Sequence, residues 1–292
     1  MSEASQNQNI IHRGEPSRTA QYVATLRAVH ALLDDPIVLD DPVALPLLGA
    51  ETAAALKEDP FGCNDPMARS LRAGLVARSR VAEDELARRV DAGLRQYVLL
   101  GAGLDTFSAR NTHAAQGLRV FEVDHASTQR WKREALQAAG LDVGDTAFVS
   151  VDFERDDLLQ ALRGAGLRTD LPVLFAWLGV TMYLTPDAVL KTLAAVGTLP
   201  PGSGIVFDYR LPPEQLNPVE RVLLDVVAQQ IAALGEPWLS SFDPATLKRQ
   251  LLELGYTHID DVGSDELNRR YFFRRKDGLQ TRNGVRIMCA GR

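Results

Sequence analysis

The residues best placed to do chemistry are Gly101, Gly103, Asp105, Asp124, Asp152 and Phe153. The first three fall in Tyr97-Val98-Leu99-Leu100-Gly101-Ala102-Gly103-Leu104-Asp105-Thr106, where a short apolar run stops at a Gly-x-Gly turn. Glycines without side chains let the backbone come close to a ligand. Asp124 ends a second apolar run, 21 residues after Gly103. That is close to the interval of about 20 at which a carboxylate takes the hydroxyls of a ribose. Asp152 and Phe153 end a third run. An aspartate there can accept from an adenine amino group, and a phenyl ring can pack on the base. A dinucleotide requires a third glycine and a helix N-terminus facing its pyrophosphate. Here the sixth position is Thr106, and Asp105 brings negative charge to the place a phosphate would occupy. The acidic rim suits a ligand with adenine, ribose and a cationic centre but no phosphate, which is S-adenosyl-L-methionine (SAM). An NAD-dependent oxidoreductase on a similar sheet is the competing reading that Thr106 and Asp105 disfavour. The plainest alternative is a turn with aspartate caps.

These residues work together only if they stand at the carboxyl ends of neighbouring strands, where open α/β sheets bind ligands. The segments 97–100, 119–123, 147–151, 172–178, 204–209, 258–262 and 285–290 are the seven strand candidates. Several are nearly continuous, as in strands covered on both faces. Alternation places Glu122 on the same side as Asp124. Helices are expected over 127–139, from Thr185-Pro186 to Gly197, and from Asp243-Pro244 to Gly255, with Thr185 and Asp243 as N-caps. Alternating strands and helices predict an α/β fold, a doubly wound and mainly parallel sheet. Residues 17–95 read as a helical cap, in which Leu71, Leu75, Ala82, Leu86, Val90 and Leu94 keep one apolar face. Residues 96–292 read as the α/β core. Within it, 211–240 is an extra piece whose Val219, Val222, Leu223, Val226, Val227, Gln230, Ile231 and Leu234 mark an amphipathic helix. A helical insertion at the carboxyl edge of a sheet often covers a substrate.

The chain has 292 residues, 46% hydrophobic and 24% charged, with a formal net charge of −6. This gives no reason to expect a nucleic-acid partner. No run reaches the roughly 18 apolar residues of a membrane span, so no membrane partner is expected. Residues 1–16 are polar and lack a signal-peptide core, which predicts a flexible tail and a cytoplasmic protein. Cys63 and Cys289 form no metal spacing, and no two of the five histidines pair at ligand spacing, so no metal is expected. Oligomeric state is left open.

The chain resembles the leucine carboxyl methyltransferase family, especially its bacterial branch of polyketide-tailoring and functionally unassigned SAM-dependent O-methyltransferases. The resemblance runs from about Ser17 to the C-terminus. It rests on Ser17-Arg18-Thr19-Ala20, Leu32-Leu33-Asp34-Asp35-Pro36, Arg78-Ser79-Arg80, the Leu99–Thr106 turn, Val120-Phe121-Glu122-Val123-Asp124 and Trp177-Leu178-Gly179-Val180-Thr181-Met182-Tyr183-Leu184. It implies a class I SAM-methyltransferase core, Rossmann-like, with a helical N-terminal cap, and a role in secondary metabolism. It also implies that Arg80 pairs with the methionine carboxylate of SAM, with Arg78 as the neighbouring candidate. Gly101, Asp124 and the Asp152–Phe153 pair map onto the family's SAM contacts. Many relatives carry a glutamate five residues before the tyrosine matching Tyr183; Leu178 stands there instead.

Methyl transfer from a sulfonium is an in-line displacement, so positioning and desolvation can supply much of the rate. A carboxylate acceptor is ionised near neutral pH and needs no base. A small or carrier-bound organic acid is therefore the expected acceptor, oriented by candidates Arg18, Tyr22, Tyr183, Tyr209 and Arg210. A hydroxyl acceptor would need a base, for which His30, His125 and Tyr183 come first. A SAM-binding protein without turnover is the remaining alternative.

Overall fold

A computed structural model describes residues 17–282 and 284–292, so the tail expected over 1–16 lies outside the described residues. The cap begins with α1 (Arg18–Leu33), whose N-cap Ser17 accepts from Ala20 N at 3.1 Å. Two short helices, α2 (Ala44–Leu47) and α3 (Ala50–Glu58), lead into α4 (Pro66–Asp91). Asp65 caps α4 by accepting from Met67 N and Ala68 N, and Pro66 supplies a preset φ at the first helical position.

The core follows as β1 (Gln96–Leu100), β2 (Arg119–Asp124), α5 (Ala126–Ala138), β3 (Ala147–Ser150), α6 (Leu158–Gly164), β4 (Leu174–Trp177), α7 (Pro186–Gly197) and β5 (Gly204–Arg210). It ends with α8 (Pro218–Ala233), α9 (Pro244–Glu253), β6 (His258–Val262), α10 (Ser264–Tyr271) and β7 (Val285–Gly291). One sheet holds all seven strands in the order β3-β2-β1-β4-β5-β7-β6. The first five pair in parallel, and β7 runs antiparallel between β5 and β6. This is the α/β sheet expected. The helices α6 and α10, seven and eight residues long, span too few turns for a helical period to show in the sequence.

Strand alternation sorts the core into two layers. Val98, Leu100, Phe175, Trp177, Ile205, Phe207 and Tyr209 face α6, α7 and α9. Tyr97, Leu99, Leu174, Ala176 and Val206 face α4. Residue 208 therefore belongs to the α4 side and residue 209 to the other. In α8 only part of the expected face turns inward. Val222 and Val226 are exposed, at 63% and 39%, whereas Leu224 is buried. Among the described residues no helix is long and apolar enough to cross a membrane.

Candidate functional site

At the carboxyl ends of the parallel strands, α1, the first half of α4, α8 and Gly278, Gln280, Arg282 and Val285 surround a cavity of about 1380 Å3. Gly101 and Gly103 both line it, and both have positive φ, +63° and +46°. A Cβ on Gly101 would stand 2.3 Å from Val180 Cγ2, so only glycine lets the turn lie against that loop. Asp124 lines the same cavity and braces the turn. Its Oδ2 accepts from Gly103 N at 2.6 Å and its Oδ1 from His125 N at 2.7 Å. Burial pushes its pKa up to about 6, against those two bonds. Glu122, on the same side of β2, is sealed beneath by Lys132 at 2.5 Å and does not line the cavity.

Asp152 and Phe153 also line the cavity. Asp152 Oδ1 accepts from Glu154 N at 3.0 Å, and the Phe153 ring lies 5.8 Å from Trp177. Asp105 reaches the cavity as well, but its carboxylate does not form a free acidic rim. Its Oδ2 takes Arg27 Nη1 at 2.9 Å and its Oδ1 takes Phe107 N at 2.8 Å. Burial opposes its charge, yet Arg27 and Arg110 hold the carboxyl well below the usual range. Arg27 also binds Asp41 and Thr106, and Asp41 accepts from Thr106 Oγ1. Asp105 and Thr106 thus clamp the turn to α1. Against pyrophosphate, the repulsion expected of Asp105 is largely neutralised.

Of the two arginines expected near the methionine carboxylate, Arg78 lines the cavity and Arg80 does not. Two residues along a helix lie about 200° apart, so the two point to opposite faces. Arg78 faces the sheet and lines the cavity, with Nη1 2.8 Å from Asp208 Oδ2. Asp208 is fully buried, and its other oxygen accepts from Gly179 N at 2.5 Å. Gly179 has φ +75°, and a Cβ there would meet Arg78 Nη2 at 2.6 Å. Arg80 is half exposed, pairs with Asp84 at 2.8 Å and does not line the cavity.

The other candidates divide. Tyr22 and Tyr183 line the cavity, and burial raises the pKa of both. Tyr209 does not. It is buried on the opposite face of β5 with its hydroxyl on Asp261 at 3.0 Å. Arg210 is also outside, 3.9 Å over the ring of Trp238, which itself lines the cavity. Arg18 does not line it, although Ser17 and Thr19 do. His30 is structural: Nε2 accepts from Val38 N and Leu39 N, which leaves its proton on Nδ1 facing Asp34. His125 lines the cavity as the N-cap of α5, with Nδ1 2.9 Å from Ser127 Oγ. Leu178 lines the cavity and packs on the α4-side core.

Sequence reasoning missed Glu236, which is 1% exposed and lines the cavity. Its carboxylate accepts from Ser17 Oγ at 2.9 Å, Arg18 N at 2.7 Å, Thr19 N at 3.3 Å and Thr19 Oγ1 at 2.5 Å. The segment after α8 therefore holds the positive end of α1. No local signal announces a contact across more than 200 residues of chain. Glu236→Ala is expected to cost about 1–3 kcal/mol, the range for a lost cap and orphaned donors. Hydrogen exchange should show the Arg18 and Thr19 amides losing protection; unchanged protection there would rule out the clasp.

Among the described residues no group of three or more His, Cys, Asp or Glu could hold a metal. A family model described as leucine carboxyl methyltransferase matches residues 20–197. A Bacillus subtilis (strain 168) protein, provisionally named an S-adenosyl-L-methionine-dependent methyltransferase, is 31% identical over 298 residues, covering 92% of this chain and 95% of its own. A similarly named Mycolicibacterium smegmatis protein is 30% identical over 262 residues, covering 82% and 86%. Among solved structures, one from Thermobifida fusca YX, provisionally titled a methyltransferase, aligns with a TM-score of 0.53 over 97% of both chains. At 18% identity it bears on the fold alone.

Proposed function

The chain belongs to the leucine carboxyl methyltransferase family, and from that premise we propose that it methylates a carboxylate of an organic acid, small or carrier-bound. It is a SAM-dependent methyltransferase with the α/β sheet of class I enzymes. The cavity fits that cofactor. Gly101 and Gly103 offer bare backbone, Asp124 offers a desolvated carboxylate for ribose hydroxyls, and Asp152 with Phe153 suits adenine. Arg78 would hold the amino-acid carboxylate. SAM supplies a methyl group already activated on a sulfonium. The chain's own residues then orient, desolvate and align.

The observation that carries the acceptor class is how the cavity's carboxylates are used. Asp65 accepts from Met67 N and Ala68 N, and Glu154 from Thr185 N and Oγ1. Asp208 accepts from Arg78 and Gly179 N, and Glu236 from the start of α1. Each of these four is committed to protein donors, and His125 is engaged through Nδ1 with Ser127 Oγ at the N-cap of α5. Tyr22 and Tyr183 are pushed above the ordinary value near 10 and stay protonated at neutral pH. An acceptor that arrives ionised requires no proton removal, and a carboxylate does so above about pH 5.

Methyl transfer from isotope-labelled SAM to a panel of acids and phenols tests this. The expected product is a base-labile methyl ester, formed at a rate flat from pH 7 to 9. A base-stable ether whose rate climbs with pH would transfer the assignment to a hydroxyl acceptor.

A further inference from the structure

We infer that the acceptor is a medium- or long-chain acyl acid whose alkyl body covers apolar strips of α8 and α4; this rests on the carboxylate reading above. The cavity, about 1380 Å3, exceeds the roughly 300–1,000 Å3 of an ordinary small-molecule site. It holds a second ligand beside the cofactor. The strand ends supply the polar half, with Asp124, Asp152 and Arg78. The rest has a different character.

On α8, Leu224, Val227 and Ile231 line the cavity at helical spacing, with Gln230 beside them as a polar neighbour, and Leu234 extends the row one residue beyond its end. From first to last that strip runs about 15 Å at 1.5 Å per residue. On α4, Met67, Leu71 and Leu75 line the same cavity at four-residue intervals. Leu178 and Met182 add to the apolar wall. The polar groups at the start of α8 satisfy each other: Glu220 N donates to Asn217 Oδ1 at 2.9 Å, and Asn217 N to Glu220 Oε2 at 3.3 Å. On α4, Arg69 donates to the carbonyl of Asp277. A compact polar acceptor would leave these strips against water. An alkyl body of matching length removes them from it, and that gain grows with each methylene. The strip is long and narrow, set by one helical face, so it favours an extended chain over a compact ring.

The test is calorimetric titration of the protein, with S-adenosylhomocysteine bound, by butanoate, decanoate and decanol. Affinity is expected to rise about tenfold for every two methylenes, so decanoate, with six more, binds about 1,000-fold tighter than butanoate. Ile231→Arg should abolish decanoate binding and leave S-adenosylhomocysteine affinity within twofold. If that variant fails to fold, Ile231→Asn should lower decanoate affinity at least tenfold. Equal affinities for butanoate and decanoate, or tight decanoate binding by a folded Ile231→Arg, would overturn the inference while leaving a carboxylate acceptor standing. If decanol binds as tightly as decanoate and, with SAM in place of S-adenosylhomocysteine, is the one methylated, the apolar chamber stands and the carboxylate reading fails.

Discussion

Replacing Asp124 with asparagine is expected to weaken SAM binding at least 100-fold while the protein stays folded. A carboxylate accepting from two ribose hydroxyls makes two charge-assisted bonds, each worth about 1.5–3 kcal/mol. About 3 kcal/mol is two orders of magnitude in affinity. The side chain also braces the Gly101–Gly103 turn through Gly103 N and His125 N. An asparagine has one acceptor oxygen and would face one of those donors with its amide nitrogen. Titration adds a second signature. Burial lifts the Asp124 pKa to about 6. Affinity for SAM should therefore fall as pH drops below about 6, by up to tenfold per unit, and level off above 7. The ligand-free fold should respond with the opposite sign. A folded pKa above the unfolded one means that the folded state holds the extra proton, so this group's contribution is lost as pH rises through 6. Calorimetry at pH 5 to 8 reads the affinity and thermal unfolding the stability. Both pH dependences should vanish in Asp124→Asn. Unaltered affinity in a folded variant would remove Asp124 from the cofactor site.

The parallel strands were legible because buried parallel strands are written as apolar runs, and β1 and β4 fall on the runs that marked them. The caps were legible because they are local. Thr185 Oγ1 accepts from Ala188 N and Asp243 Oδ2 from Thr246 N, each within one turn. Phase was the harder quantity. In β5, Gly204–Arg210, both faces are covered, so nothing in Ile205-Val206-Phe207-Asp208-Tyr209 says which residue faces the cavity. The end of the apolar run points to Tyr209, and the pleat turns Asp208 inward instead. Contacts across the chain were out of reach for a related reason. Arg27 with Asp105, and Glu236 with Ser17, join segments whose local patterns say nothing of each other. Those two contacts hold α1 over the cavity, so the cap is part of the site although the strand ends alone suggested the cofactor.

Helix phase also decides between the arginines, and Arg78→Ala with Arg80→Ala reads it out. Arg78→Ala is expected to raise the SAM dissociation constant at least 100-fold, because a guanidinium fork on a carboxylate is among the stronger charge-assisted pairs. It should also destabilise the fold by about 3–5 kcal/mol, since it strips the cation from a carboxylate, Asp208, that is fully buried. The two losses are separable. Asp208→Asn keeps an oxygen for Gly179 N and removes the orphaned charge. The double variant Arg78→Ala/Asp208→Asn should therefore regain most of the stability yet still bind SAM poorly. Arg80→Ala breaks a half-exposed pair with Asp84, worth about 0–1 kcal/mol, and should leave SAM affinity within twofold. If Arg80→Ala abolishes binding and Arg78→Ala does not, the inward face of α4 is not where the cofactor's carboxylate is held. Loss of binding in Arg78→Ala that returns in the double variant would make Arg78 a neutraliser of Asp208 and nothing more.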